Sequence, residues 1–107
     1  MTNNQRVCGL IGLATRAGKT TFGTEACMSS IEKKKTKLII VAEDASDRTK
    51  LNFEKACRQK QIEFKVYLSI EEISRGVGKQ NKAAVGINDV NFSNEILKII
   101  NGGEVIG

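Results

Sequence analysis

Apolar positions recur along this chain in two alternating rhythms, one of period 3.6 and one of period 2 or continuous, and together they predict nine elements. Val7, Leu10, Ile11 and Ala14 keep helical spacing behind a Thr2/Gln5 capping box, and Gly18 stops that helix. A short strand is expected over Lys19–Phe22, and Gly23 then opens a second helix with Ala26, Cys27, Ser30 and Ile31 on one face. Leu38–Ala42 is an unbroken apolar run, the mark of a strand covered on both sides. From about Ser46 a third helix turns Phe53, Ala56 and Cys57 inward, and Phe64, Val66 and Leu68 alternate as a strand. Ser69 and Glu72 form a second capping box for a short helix ending near Gly76. Ala83–Ile87 is a further strand, and Phe92, Ile96, Ile99 and Ile100 build the last helix. Strands alternating with helices imply an α/β fold, a three-layer α-β-α sandwich with a small mixed central sheet.

No linker or repeat interrupts this alternation, so 107 residues are expected to form one domain, 1–107, able to bury about two-thirds of its unfolded surface. No run reaches membrane-spanning length and no signal-peptide core is visible, so a cytoplasmic protein without membrane contact is expected. Cys8, Cys27 and Cys57 are odd in number, lie among apolar neighbours and read as reduced buried thiols. Histidine is absent, which removes the commonest general base and the commonest metal ligand. No metal and no cofactor are expected.

The formal charge is +5, and it is uneven: residues 1–60 carry 12 Lys/Arg against 6 Asp/Glu, the remainder 5 against 6. A basic face of this kind suits an anionic partner, with nucleic acid first. Gly18-Lys19-Thr20 looks at first like the end of a nucleotide-binding phosphate loop, with Leu38–Ala42 leading to Glu43-Asp44 as a magnesium-binding strand. The spacing defeats that reading. The first glycine of the motif would fall at Leu13, and Gly12 is one residue too early to close the phosphate cradle. Glu43, Asp44 and Asp47 then read as helix caps and charge balance, and no nucleotide cofactor is expected.

A basic turn beside a helix N-terminus offers phosphate both charge and free N–H groups, which singles out Arg16, Lys19, Thr20, Gly23, Thr24 and Glu25. Arg75 and the polar loop through Gly78, Lys79 and Lys82 are expected to close off the same edge. Lys33-Lys34-Lys35 and Lys37 follow the second helix, where cations either complement the helix dipole or meet RNA. Aromatics are few and read as core, so a base-stacking platform is not expected.

Leu13-Ala14-x-Arg16-Ala17-Gly18-Lys19 followed by Gly23, then Lys37 to Ser46, resembles the kink-turn-binding ribosomal protein superfamily, in particular its bacterial YlxQ-like branch. Ile73 to Lys79 is similar to a further glycine-containing family segment, and the resemblance spans nearly the whole chain. It implies an α-β-α sandwich that binds sharply bent RNA helices without catalysis, in ribosomes or other ribonucleoprotein particles. Structured RNA, ribosomal or other non-coding, is the implied partner. In the best-studied branches the second helix opens Gly-Thr/Ala-Asn-Glu; here Gly23 and Thr24 agree, Glu25 stands at the asparagine and Ala26 at the glutamate. The resemblance therefore leaves Glu25 as the carboxylate able to read base edges. A protein-interaction module of the same fold, with the basic edge against an acidic partner, is the alternative; a nucleotide-binding enzyme is the more remote one.

Overall fold

The computed structural model describes residues 1–102, so the expected domain limit at 107 lies outside the described residues. Five helices and four strands alternate: α1 (Asn3–Arg16), β1 (Thr20–Phe22), α2 (Thr24–Glu32), β2 (Leu38–Val41), α3 (Asp47–Lys60), β3 (Glu63–Val66), α4 (Ile70–Val77), β4 (Ala84–Ile87) and α5 (Val90–Ile100). The strands lie in the order β1-β4-β2-β3. β4 runs antiparallel to both β1 and β2, while β2 and β3 are parallel, so the sheet is mixed.

The strand period sorts the core into two layers. Leu38, Ile40, Val85 and Ile87 face α1, α4 and α5, together with Val7, Ile11, Ile73 and Ile96. Ile39, Val41 and Ala84 point the other way and meet Cys27, Ile31, Phe53 and Cys57 of α2 and α3. Central strands β2 and β4 are buried along their full length, which explains their unbroken apolar sequence. Both capping boxes form: Thr2 and Ser69 accept from the N–H of Gln5 and Glu72, whose side chains return the bond.

Three local expectations change. α4 does not stop at Gly76 but runs to Val77, with Gly78 capping it at φ +73°. Gly76 lies inside the helix because α1 passes close by: a Cβ there would sit 3.2 Å from Ile11 and 3.5 Å from the Cys8 carbonyl. Leu68 is fully buried but is not part of the strand. β3 ends at Val66, which is 39% exposed on the sheet edge, and a positive φ of 70° at Leu68 turns the chain back to the α1 layer. Ala26, expected inward on α2, is exposed: the buried residues of that helix are Cys27, Ser30 and Ile31, with Met28 packed beside them.

Candidate nucleic-acid interface

α2 begins without a side-chain cap. Gly23 occupies the cap position at φ 95°, ψ 152°, a conformation that suits glycine because it has no Cβ. Its N–H donates to the Ala84 carbonyl at 3.0 Å and its own carbonyl accepts from Cys27 N–H at 3.0 Å. The backbone is thus pinned to β4 while the first-turn amides of α2 stay free of side-chain caps, an arrangement that attracts anions.

β4 is antiparallel to β1, so the loop that leads into β4 arrives beside the end of β1 and the start of α2. Phe22, Gly23, Thr24, Glu25 and Ala26 on one side, and Asn81, Lys82 and Ala83 on the other, enclose a groove of about 540 Å³. Gly23 is required here by its φ and not by space, since a Cβ would meet the Lys82 side chain only in ordinary contact, 3.7 Å from Nζ. Lys79 and Lys82 each place Nζ 5.9 Å from the centre of the Phe22 ring. The attraction of an ammonium to a ring face is worth about 0.5–1 kcal/mol at exposed sites and holds both cations beside the ring. Among the described residues neither lysine is in an ion pair.

Ser74 fixes this loop. Its buried hydroxyl accepts the Lys82 N–H at 2.7 Å and lies 3.4 Å from the Lys82 carbonyl. The Gly78 cap turns the chain out of α4, and Asn81 adds a second left-handed residue at φ 56°. Beyond Asn81 a second depression of about 560 Å³ is lined by Asp44, Arg75 and Lys79. Asp44 acts there as a cap, accepting the Ile70 N–H at 2.8 Å. Arg75 pairs with Glu71 at 3.4 Å on the surface, an interaction that contributes about 0–1 kcal/mol and leaves the guanidinium accessible.

The structure therefore brings together Gly23, Thr24, Glu25, Gly78, Lys79 and Lys82, with Arg75 on the adjoining surface. Arg16 is exposed at the end of α1, its Nη1 4.0 Å from where a Cβ on Gly12 would stand. Lys19 and Thr20 are separated from the groove: β1 carries them to its opposite end, beside Ile87 and Asn88. Thr20 is half-buried, its hydroxyl 3.0 Å from that of Thr15. Phe22, which lines the groove, and Ser74, which anchors its loop from the adjoining depression, were not singled out by the sequence. A strand aromatic and a helical serine carry no local sign of such a role.

The Gly18-Lys19-Thr20 turn ends a helix instead of starting one. Gly18 N–H donates to Thr15 and Lys19 N–H to Ala14, at 3.0 and 2.8 Å, so both amides serve the α1 C-terminus and not a phosphate. Cys27 and Cys57 are buried as expected, which pushes their thiols up to about 12 and about 11; Cys8 is only half-buried, and burial, then the Glu72 charge, raises it.

A family model described as the ribosomal protein L7Ae/L30e/S12e/Gadd45 family matches residues 5–97. The chain belongs to this family. It is a non-enzymatic family, which agrees with the committed amides of the Gly18 turn. The chain is 35% identical to the RNA-binding protein YlxQ of Enterococcus faecium over 100 residues, 94% of this chain and 96% of that one. It is 28% identical over 98 residues to the large ribosomal subunit protein eL8 of Thermoplasma volcanium, covering 91% and 81% of the two chains. Among solved structures, a Bacillus halodurans protein of unknown function superposes with a TM-score of 0.84 at 28% identity, covering 89% of this chain and 96% of that chain. A Giardia lamblia 15.5kD RNA binding protein gives a TM-score of 0.77 at 17% identity, over 98% and 90% of the chains, and shares the fold. The expected α-β-α architecture and mixed sheet are those of the family.

Proposed function

We propose that this chain is a non-catalytic RNA-binding protein that recognises structured, kink-turn-like RNA, works as one unit in the cytoplasm, and is associated with the ribosome. The observation that carries the reading is the groove in which the uncapped start of α2 faces Lys82, with Lys79 beside the Phe22 ring in the adjoining depression. An anionic strand entering it meets amide N–H groups on one wall and the Lys82 ammonium on the other. Lys79, Lys82 and Arg75, with Arg16 behind them, hold phosphates and set register, whereas Gly23 admits the RNA backbone and Thr24 adds a hydroxyl. Glu25 is the carboxylate at the mouth, suited to the N–H donors on exposed guanine edges. The relatives named for RNA binding and for the ribosome support the partner class.

The test compares Glu25→Gln with Lys82→Ala, each on a kinked RNA and on a mutant lacking its G·A pairs. Glu25→Gln lowers discrimination between the two RNAs by about 1–3 kcal/mol, the worth of one base-edge interaction, or about fivefold to a hundredfold. Lys82→Ala weakens both RNAs alike, because phosphates carry no sequence information. A wild-type protein that binds the two RNAs equally would overturn kink-turn recognition.

A further inference from the structure

We infer that the molecule carries a second RNA-contacting surface at the pole opposite the groove, formed by Lys19, Lys33, Lys34, Lys35 and Lys37, which grips the phosphate backbone of a straight RNA helix while the groove is occupied. The inference rests on the RNA-binding reading above but uses different residues.

The topology assembles this pole from distant parts of the sequence. The end of β4 is flanked on both sides: Lys37 N–H donates to the Ile87 carbonyl at 2.7 Å, and the next residue, Asn88, donates to the Lys19 carbonyl at 2.8 Å. α2 runs back from the groove, so Lys33 to Lys35 emerge at the same end. All five lysines are exposed, and among the described residues none is in an ion pair. Three carboxylates share the pole. Asp89 accepts the Phe92 N–H at 2.9 Å as the cap of α5, Glu32 ends α2, and Glu63 begins β3 opposite Leu38. None of them neutralises a lysine.

The helix dipole accounts for only part of the cluster. Lys33 is the C-cap of α2 and Lys34 and Lys35 follow at once, so the dipole can favour these three, but Lys37 and Lys19 belong to other segments and are not explained by it. The closing carbonyls of α2 are satisfied by backbone, with Lys33, Lys34 and Lys35 N–H donating to Ser29, Ile31 and Ser30. Lys34 also holds φ +55°, a conformation that glycine or asparagine adopts more readily. Exposed lysines drawn to one pole from three segments of the chain, with no ion pair among the described residues, match a polyanion. Groove and pole sit on a body 34 × 28 × 27 Å across, so one copy can touch two RNA segments at once.

The experiment uses the full chain and a labelled straight RNA duplex without a kink, at low salt, with and without saturating unlabelled kinked RNA. Lys33, Lys35 and Lys37 are changed together to Gln, leaving the left-handed Lys34 in place. Duplex binding by the wild type is expected to persist when kinked RNA is saturating. In the triple variant the slope of log K against log salt for the duplex becomes shallower by about 2, near 0.7–0.9 for each phosphate no longer neutralised. Kinked-RNA affinity at the groove changes little in that variant, which also shows that it is folded. Complete displacement of the duplex by kinked RNA, or an unchanged slope in the triple variant, would overturn the second surface. Loss of kinked-RNA preference in the wild type instead refutes the groove reading and leaves the duplex arm to decide this one.

Discussion

Replacing Ser74 by Ala removes one hydroxyl and should loosen the whole Gly78–Lys82 wall of the groove. The Lys82 N–H donates to Ser74 Oγ at 2.7 Å, and Ser74 is only 6% exposed, so deletion leaves that amide without its partner in a half-buried place. An orphaned donor of this kind costs about 1–3 kcal/mol. The loop's other tie to the same helix is the Lys79 N–H to the Ser74 carbonyl at 2.9 Å, which the substitution spares. The cheapest response is therefore local opening around Asn81 and Lys82. A binding site that must be re-ordered by about 1 kcal/mol loses about fivefold in affinity, given tenfold per 1.4 kcal/mol. Amide hydrogen exchange at Lys82 should accelerate, kinked-RNA affinity should fall at least fivefold, and the salt slope should stay constant because no charge is removed. Lys82→Ala, by contrast, reduces the slope by about 0.7–0.9. Faster exchange with unchanged affinity would mean that the loop does not touch RNA. Unchanged exchange would mean that Ser74 does not hold it.

Gly23→Ala imposes a side chain at φ 95°, ψ 152° and is expected to cost about 1–3 kcal/mol in thermal or urea unfolding, with a loss of RNA affinity because the strained residue forms the start of α2 at the groove. Magnesium-ATP and magnesium-GTP should give no saturable heat at micromolar concentrations in calorimetry, since the Gly18 and Lys19 amides are bonded within the α1 terminus; binding abolished by Lys19→Ala would reverse that conclusion. Stability should depend on alkaline pH through Cys27 and Cys57, whose folded values of about 12 and 11 lie above the unfolded thiol value. Their contribution is complete below about pH 9 and is lost as pH rises from there towards 11–12, so urea midpoints should be flat from pH 7 to 8.5 and fall above it. A flat profile to pH 11 in the wild type, matched by a Cys27→Ala variant, would count against buried thiols as the cause.

Elements were legible where a single physical rule acted alone. The unbroken run Leu38–Val41 could only be a strand covered on both faces, and it is the buried centre of the sheet. The capping boxes at Thr2 and Ser69 marked two helix starts because their geometry is local. Reading failed where two rules compete for one residue type. Glycine ends helices and also permits close packing; Gly76 does the second under Ile11, and Gly78 two residues later does the first. Leu68 continued an alternation in sequence, yet its left-handed backbone takes it out of the strand and still into the core. Phe22 does pack against the core as its strand implies, but β1 is an edge strand and leaves the ring half-buried with two lysine ammonium groups beside it.

The candidate site shows the sharper limit, because charge adjacency in sequence is not adjacency in space. Lys19 and Gly23 are four residues apart, which reads as one basic turn entering a helix. A strand advances about 3.3 Å per residue, so β1 alone moves the chain about 10 Å and delivers its two ends to opposite sides of the sheet. The partners for each end come from far along the chain: Lys82 for Gly23 and Asn88 for Lys19. The first sixty residues thus supply the lysines of the far pole, whereas the groove draws Arg75, Lys79 and Lys82 from the remainder, and net charge cannot distinguish that from one extended face. The division has a practical consequence for mutagenesis. Lys82, not Lys19, is the charge whose removal should report phosphate binding inside the groove, and a double variant lacking both should show independent, additive losses if the two poles act on separate RNA segments. Losses that fail to add would place both lysines on one continuous RNA path, and the structure would then require that path to bend around the β1 edge.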